Sequence, residues 1–324
     1  MRVLFAGSPA IAVPSLETLC AMHGSGEIEL AGALTNPDSP KGRRGALQPT
    51  EVAEAAAKIS RQFEERGSAG FPVLKPEKLD SSAREQVCAL KPDLLVSFAY
   101  GRIFGPKFLA LFPLGGINIH PSLLPKYRGP SPIQAAILNR DAETGITVQT
   151  LAPEMDSGDI LAREHLRLTG GETTGSLGEI AAQKAAQMLP ETLKAIAGGK
   201  SRAEPQNHGE ASYCSLISRD DGLIDWNRSA VEIEARIRAF DPWPLCRTIH
   251  KGLELFILKA GVKKDLSCER QAGFVLGIDK KDGILVQTGE GVLAVTELQY
   301  QARKALFWRD FLNGARDFSG SILG

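Results

Sequence analysis

The chain has 324 residues, 43% of them hydrophobic and 23% charged, and its 38 Lys and Arg residues balance 38 Asp and Glu residues. This length favours two domains over one, the even charge gives no whole-chain support for a nucleic-acid partner, and no stretch approaches the roughly 18 apolar residues of a membrane span. The five cysteines are scattered without a C-x-x-C pair, which predicts free thiols in a reducing cytoplasm.

Apolar segments and helical patterns alternate along the first part of the chain. Residues 2–6, an arginine and four apolar residues, form a run that ends at Gly7-Ser8-Pro9, too short for a signal-peptide core and typical of a first strand. Further strands are predicted at 28–34, near 73, at 94–99 and at 117–120, helices at 13–20, 50–66 and 83–90, and a polar loop at about 36–49. This alternation predicts a doubly wound α/β fold with a mostly parallel sheet.

A long helix is predicted to close the first domain. Apolar residues recur at helical spacing over 177–196, with Ser176-x-x-Glu179 as a capping box at the start and Gly198-Gly199 as the stop. Turn-forming residues then cluster up to residue 212 without periodicity. We therefore predict a first domain over 1–204, a linker over 205–212 and a second domain over 213–324.

The second domain has a different pattern. One helix is predicted over 231–240, followed by short strands at 253–258, 273–278, 284–287 and 292–298. Regularly spaced short strands predict a small β-barrel. Trp243 lies between two prolines and is a candidate base-stacking residue, but we expect it to be buried between the helix and the barrel.

Two polar residues at the end of a predicted strand are the first candidates for chemistry. Asn118 and His120 are two residues apart, so in an extended chain their side chains point to the same side. An amide donor and an imidazole can stabilise an oxyanion and move a proton. The run 121–125 that follows is expected to leave the sheet as irregular backbone, whose free N–H and C=O groups can read a ring ligand.

A third candidate lies in the glycine-containing loop 154–159. The carboxylate of Asp156 in this loop is able to approach the imidazole of His120, orient the ring and raise its pKa. On spacing alone, a structural histidine and an ordinary Asp-Ser-Gly turn remain open.

The residues around these three candidates resemble a known enzyme family. The run 118–129, NIHPSLLPKYRG, and the segment 155–160, MDSGDI, are similar to the two signatures of formyltransferases that use 10-formyltetrahydrofolate, in the same order. The resemblance implies a Rossmann-like formyltransferase domain that needs no metal and has Asn118, His120 and Asp156 as catalytic residues. It also implies a set of folate contacts, namely Ser122, Leu123, Leu124 and Pro125, with Phe98 and Tyr100 in a wall for the pterin ring.

Other regions resemble the members of this family that act on methionyl-tRNA. They are the start of the chain over 5–16, the loop 37–45, and second-domain segments that include 237–244 and 311–314. By this resemblance, 10-formyltetrahydrofolate is the co-substrate, the α-amine of methionyl initiator tRNA is the acceptor, and the second domain is an OB-like barrel that binds tRNA. The implied tRNA contacts are Lys41, Arg43 and Arg44, and the chain is expected to act as a monomer with no membrane partner.

Several alternatives remain open. A formyltetrahydrofolate hydrolase domain would use water in place of the amine, and the basic loop 41–44 argues against it. A sugar-nucleotide formyltransferase comes next, and a glycinamide ribonucleotide formyltransferase usually lacks a second domain of this kind. A non-catalytic RNA-binding protein is the alternative from another class, and the joint presence of Asn118, His120 and Asp156 speaks against it.

Overall fold

The structure, a computed structural model, describes residues 1–41, 45–263, 266, 269–315 and 317–324. Arg43 and Arg44 lie outside the described residues, and so does the side chain of Lys41. The described chain divides into two compact units. The first consists of Met1–Pro132, Glu143–Arg167 and Gly178–Cys214, and the second of Ile133–Ala142, Leu168–Leu177 and Ser215–Gly324.

The first unit contains a seven-stranded, mostly parallel sheet and a separate two-stranded hairpin. Its strands are β1 Arg2–Gly7, β2 Glu29–Leu34, β3 Ser39–Lys41, β4 Ala46–Gln48, β5 Val73–Leu74, β6 Leu94–Phe98, β7 Gly116–His120, β8 Glu143–Thr150 and β9 Ile160–Arg167. The sheet order is β5-β2-β1-β6-β7-β8-β9, and β3 pairs with β4. The first five strands of this order pair in parallel, which confirms the predicted fold class, while β8 and β9 join antiparallel at one edge.

The central strands are buried on both faces, as their nearly continuous apolar sequences predict. Residues 3–7 of β1 and all of β6 are buried. One apolar cluster joins these strands to the aromatic side chains that follow β6, among them Tyr100, Phe104, Phe108 and Phe112. The core of the first unit therefore packs against β1 and β6 and includes the aromatic residues that follow β6.

The predicted helices are present, and one capping motif differs from its prediction. The helices up to residue 197 are α1 Val13–Gly24, α2 Glu51–Glu65, α3 Ser81–Ala89, α4 Pro106–Leu109, α5 Pro132–Leu138 and α6 Thr174–Ala197. At the start of α6, Thr173 Oγ1 accepts from the Ser176 N–H at 3.2 Å, and Ser176 Oγ accepts from the Thr173 N–H at 3.0 Å. The predicted capping box at Ser176 was therefore wrong by three residues, because Thr173 already satisfies the first free N–H groups of this helix.

Several parts of the first unit were not predicted, namely α4, the β3–β4 hairpin and the strands β8 and β9. The loop expected at 36–49 contains the β3–β4 hairpin, in which Ser39 pairs with Gln48 and Lys41 with Ala46. Strand β8 was missed although Ile146 and Val148 alternate with Thr147 and Gln149, a period of two that is typical of a strand.

The second unit carries an antiparallel sheet, as predicted for the second domain. After α7 Ala230–Ala239, its strands are β10 Cys246–His250, β11 Leu253–Lys263, β12 Val275–Asp279, β13 Gly283–Gln287, β14 Val292–Tyr300 and β15 Leu306–Phe307, and the last helix is α8 Trp308–Gly314. The sheet order is β10-β11-β14-β13-β12, with β15 paired to β14. The prediction of a buried Trp243 was wrong, since this side chain is 54% exposed. Phe240, which is 1% exposed, fills the interior at the end of α7 instead.

Among the described residues, no helix combines the length and the apolar character needed to cross a membrane.

Candidate active site

Strand β7 brings two of the sequence-predicted residues to the carboxyl edge of the sheet. Asn118 and His120 lie on the same face of this strand and pair with Gln149 and Thr147 of the antiparallel neighbour β8. Polar residues of two strands thus form one row, because side chains two residues apart share a face. His120 is only 4% exposed, whereas Asn118 is partly exposed, so a ligand approaching this edge would meet the amide first.

The third predicted residue, Asp156, meets both of them. Its Oδ1 accepts from Asn118 Nδ2 at 3.3 Å and from Gln149 Nε2 at 3.0 Å. Its Oδ2 accepts from the Gly129 backbone N–H at 2.9 Å and lies 3.6 Å from His120 Nδ1. The structure therefore brings Asn118, His120 and Asp156 together, with three N–H donors directed at one carboxylate.

The loop that carries Asp156 has a constrained backbone. Asp156 has a φ of 52°, in the left-handed region that Asp tolerates better than most side chains. Two residues later, a Cβ added to Gly158 would lie 1.8 Å from the Thr150 carbonyl oxygen. Only glycine fits there, which explains the glycine of the Asp-Ser-Gly segment.

The imidazole of His120 is held by a backbone carbonyl. His120 Nε2 is 2.8 Å from the Tyr127 carbonyl oxygen, and because a carbonyl oxygen only accepts, Nε2 carries the proton. In the neutral ring, Nδ1 therefore holds the lone pair and faces Asp156.

Burial decides the direction of the His120 pKa. Desolvation lowers the pKa of His120 below its usual range, against the opposing effects of the Asp156 charge and the Tyr127 hydrogen bond. The predicted effect of Asp156, which is to raise this pKa, is present, but desolvation outweighs it. Nδ1 and Oδ2 are 3.6 Å apart, which is longer than a hydrogen bond.

The predicted folate-contacting run 122–125 packs against the sheet. Thr147 Oγ1 donates to the Ser122 carbonyl at 2.7 Å and accepts from the Leu124 N–H at 3.1 Å. The Ser122 N–H donates to the His120 carbonyl at 2.9 Å. The expectation of free backbone groups was thus wrong for these atoms, because buried N–H and C=O groups require partners. Ser122 and Leu124 are buried, and Leu123 and Pro125 are partly exposed.

The two predicted residues of the pterin wall lie inside the core. Phe98 is 1% exposed and Tyr100 is 2% exposed, and the Tyr100 ring stacks on Phe104 at a centroid distance of 5.2 Å. Between them, Ala99 is exposed and has a φ of 49°. The surface that this segment offers to a ligand is therefore that of Ala99, with the two aromatic rings behind it.

Sequence reasoning missed three polar residues next to the trio. Gln149 donates to Asp156 Oδ1 at 3.0 Å, Gln206 Nε2 donates to the Asp156 carbonyl at 2.9 Å, and Arg128 donates to Gln206 Oε1. The alternation in β8 could have revealed Gln149. No such signal exists for Gln206, which lies in the predicted linker.

Neither a metal site nor a disulfide is found in the described part of the chain. No group of three or more His, Cys, Asp or Glu side chains is arranged there to hold a metal ion. Cys20, Cys88, Cys214 and Cys246 are free thiols.

Family models and curated relatives match almost the whole sequence. The Formyl transferase model matches residues 1–193, and the model for the formyl transferase C-terminal domain matches residues 216–316. The methionyl-tRNA formyltransferase of Treponema denticola is 48% identical over 322 residues, 98% of each chain. That of a Roseiflexus species is 42% identical over 325 residues, which is 100% of this chain and 95% of the relative.

Solved structures share the fold at lower identity. An N-formyltransferase from Helicobacter canadensis in complex with folinic acid and dTDP-3-aminofucose has a TM-score of 0.63 at 20% identity, over 91% of this chain and 99% of the other. HypX from Aquifex aeolicus in complex with tetrahydrofolic acid has a TM-score of 0.61 at 17% identity, over 98% of this chain and 48% of the other. From the two family models and the full-length relatives, the chain belongs to the methionyl-tRNA formyltransferase family.

Proposed function

We propose that this protein transfers the formyl group of 10-formyltetrahydrofolate to the α-amine of methionyl initiator tRNA, giving formylmethionyl-tRNA for translation initiation. The observation that carries the proposal is the meeting of Asn118, His120 and Asp156 at the carboxyl end of β7. It occurs in a chain that matches methionyl-tRNA formyltransferases along its full length.

Asn118 is suited to stabilise the oxyanion. The amine nitrogen attacks the formyl carbon, and the carbonyl oxygen becomes negatively charged in the tetrahedral intermediate. The Asn118 amide has two N–H groups, and its contact with Asp156 at 3.3 Å uses one of them. The second N–H can donate to the oxyanion, a contribution of about 3 kcal/mol to transition-state stabilisation.

His120 and Asp156 are suited to move the proton. His120 Nδ1 holds the lone pair because Nε2 donates to Tyr127, so Nδ1 accepts the proton that the attacking amine loses. The imidazolium then faces the Asp156 carboxylate, which stabilises its charge. As the carbon–nitrogen bond to the folate breaks, the same proton passes to the leaving nitrogen, and His120 returns to its neutral form.

Substrate contacts follow from exposure and charge. Leu123 and Pro125 have the partly exposed side chains of the run 122–125, so we assign them the direct contact with the folate ring, with Ser122 and Leu124 holding the run in place. For the tRNA we assign the basic set that lies in the sequence at the end of β3 and before β4, Lys41, Arg43 and Arg44, because Lys and Arg bind phosphates.

A reconstituted reaction tests the function. The protein is mixed with 10-formyltetrahydrofolate carrying a labelled formyl group and with methionyl initiator tRNA, and labelled formylmethionine is measured after hydrolysis of the ester. N-acetylmethionyl-tRNA, which lacks the free amine, is the matched control and should accept no label. No label on methionine in the complete reaction would contradict the proposal.

The same reaction separates the alternative activities. Release of formate and tetrahydrofolate at the same rate with and without tRNA would indicate the hydrolase. Label on an amino sugar nucleotide but not on methionine would indicate the sugar-nucleotide enzyme.

Domain boundaries, oligomeric state and cellular compartment complete the proposal. We propose that the catalytic domain spans 1–204 and that the tRNA-binding domain spans 213–324. We further propose that the protein acts as a monomer in the cytoplasm, where its thiols stay reduced. Light scattering at enzyme concentrations used in the assay tests the monomer, and a mass twice that of 34.8 kDa would contradict it.

A further inference from the structure

The segment between α6 and the second unit sends one side chain into the first unit. Gln206 is 4% exposed although its neighbours on both sides are exposed. Its Nε2 lies 2.9 Å from the Asp156 carbonyl, 2.7 Å from the Gly158 carbonyl and 3.1 Å from Gln149 Oε1. One amide group thus holds the backbone on both sides of Ser157.

Arg128 fixes which way this amide points. Arg128 Nη2 and Nε donate to Gln206 Oε1 at 2.7 and 3.1 Å. A guanidinium only donates, so the amide oxygen must face Arg128 and the NH₂ group must face the Asp156 loop. Arg128 is itself 2% exposed and donates also to His208 Nδ1 at 3.2 Å. A buried charge needs such partners to be tolerated, so Arg128 cannot turn away without losing them.

The hydrogen bonds continue from Gln206 to the carboxylate. Gln149 accepts from Gln206 through Oε1 and donates through Nε2 to Asp156 Oδ1 at 3.0 Å. Gln206 therefore acts on Asp156 twice, through the backbone carbonyl of Asp156 and through Gln149. A non-glycine residue at φ 52° keeps that conformation only where its surroundings hold it.

We propose that Gln206, oriented by Arg128, is a positioning residue for the reaction: it holds Asp156 in register with His120 and Asn118. The inference rests on the proposed catalytic role of Asp156. By this proposal, a residue of the segment between α6 and the second unit takes part in positioning the active site of the first unit.

The test is Gln206→Glu. This change keeps the shape and the oxygen that accepts from Arg128, and it replaces the NH₂ group by an oxygen that faces three other oxygen atoms. The loop is then no longer held, and we expect kcat to fall on the order of a hundredfold, since small misplacement of a catalytic group has effects of this size. The KM values for folate and tRNA should change less than about threefold, because the Gln206 side chain is only 4% exposed and its polar atoms are taken up by protein partners.

Gln287→Glu is the matched control. Gln287 is a buried glutamine of the second unit, 5% exposed, whose Nε2 donates to the carbonyls of Thr288 and Gly291. It loses the same two donors, so it reports the effect of this change on folding alone, and its kcat should stay within about twofold of wild type. If Gln206→Glu does not fold, Gln149→Leu removes the hydrogen bond to Asp156 Oδ1 and the oxygen that accepts from Gln206, but leaves the Gln206 contacts with the Asp156 and Gly158 carbonyls in place. About a tenfold fall in kcat is expected from it.

A double-mutant cycle with Asp156→Asn tests whether Gln206 acts on the reaction through Asp156. If Gln206 works through Asp156, adding Gln206→Glu to Asp156→Asn should cost less than about threefold further in kcat. A wild-type kcat for Gln206→Glu, or a full additive loss in the double variant, would overturn the positioning role and leave the proposed function standing. A wild-type kcat for Asp156→Asn would overturn the catalytic role of Asp156, and the positioning role with it, whereas failure of the proposed function itself would show as no labelled formylmethionine from the wild-type protein.

Discussion

The site around Asp156 and the β3–β4 hairpin are built in opposite ways. At Asp156, side chains from β7, β8, the loop 154–159 and the segment after α6 converge, and His120 and Gln149 are 4% and 2% exposed. In the hairpin, the described residues 45–48 are all exposed, and Leu47 is 69% exposed. In the first region, hydrogen bonds and burial fix the position of each polar atom. In the second region, the described side chains are exposed to solvent.

This difference assigns different work to the two regions. Chemistry needs groups held within a fraction of an ångström, which requires buried and fully partnered side chains. Contact with a long polyanion depends on the number of charges near phosphates and tolerates adjustment. Changes at the buried site should therefore alter kcat or stability steeply, and changes at the hairpin should alter binding gradually and in a salt-dependent way.

The largest effect is expected from Asn118→Ala. The variant removes the proposed oxyanion donor, and kcat should fall about 10²- to 10³-fold with little change in KM. Steady-state formylation rates measure it. Asn207→Ala, which removes an exposed amide that accepts from the Gly209 N–H, is the control and should retain wild-type kcat. An equal loss of kcat in Asn118→Ala and Asn207→Ala would contradict a specific role of Asn118 in the reaction.

Gly158→Ala tests the rigidity of the site through stability. The new Cβ would stand 1.8 Å from the Thr150 carbonyl oxygen, so the loop must move, and the free energy of unfolding should fall by at least about 2 kcal/mol. Urea denaturation measures it. Gly178→Ala in α6, where an added Cβ meets nothing within 4 Å, should instead stabilise by about 0.5–1 kcal/mol. A stable Gly158→Ala protein would show that the loop is less constrained than it appears.

The pH dependence of kcat follows from the buried imidazole. Burial lowers the pKa of His120 below its usual value near 6.5, and the reaction needs the neutral ring. Activity should therefore rise with pH through a midpoint below about 6.5 and be level at neutral pH. His165→Asn, which changes an exposed histidine with a side chain 64% exposed, should leave the profile unchanged. A midpoint above 6.5 in the wild type would mean that the Asp156 charge outweighs burial.

The same shift affects stability, and the sign follows from proton binding. As pH falls from about 6.5 towards the lower folded-state pKa of His120, the unfolded chain binds a proton that the folded chain does not. The free energy of unfolding should therefore decrease over that window and level off below it. Denaturation curves of wild type and His120→Asn across this range measure the difference, which should vanish if His120 titrates equally in both states.

The smallest effect is expected from the basic residues of the segment 41–44. Arg43→Ala should weaken tRNA binding a few-fold and reduce the slope of log affinity against log salt by about one, with kcat at saturating tRNA unchanged. A filter-binding titration at several salt concentrations measures it. Arg61→Ala, on the exposed side of α2, is the control. Equal slopes for wild type and Arg43→Ala would remove the hairpin from the proposed tRNA surface.

Strand and helix order could be predicted from the sequence because it depends on local periodicity. The apolar runs of β1, β6 and β7 and the helical spacing of α6 lead directly to the mostly parallel sheet. The two antiparallel edge strands were missed because no helix separates them. Trp243 was misplaced because a flanking pattern of prolines gives no information on which side of the chain faces the core.

The trio could be predicted, but its supports Gln206 and Arg128 could not. Asn118 and His120 share a strand, and Asp156 follows from the resemblance of its segment. Gln206 is 50 residues from Asp156 along the chain, in a stretch with no periodicity, and its partner Arg128 is 78 residues away. Such pairs depend on tertiary packing, which no local pattern encodes.

The buried position of Gln206 has a consequence for how this protein can be divided. A chimera or truncation cut at residue 204, where the sequence suggests the first domain ends, would discard the glutamine together with Tyr213 and Cys214, which contact Arg128 and its backbone. A cut after Cys214 would retain them and would follow the last residue of the first compact unit, while residues 133–142 and 168–177 of the second unit would stay on the same side of the cut. Exchanging second domains between relatives at this point would then keep the proposed linker 205–212, together with Tyr213 and Cys214, on the side of the catalytic domain and not with the incoming module.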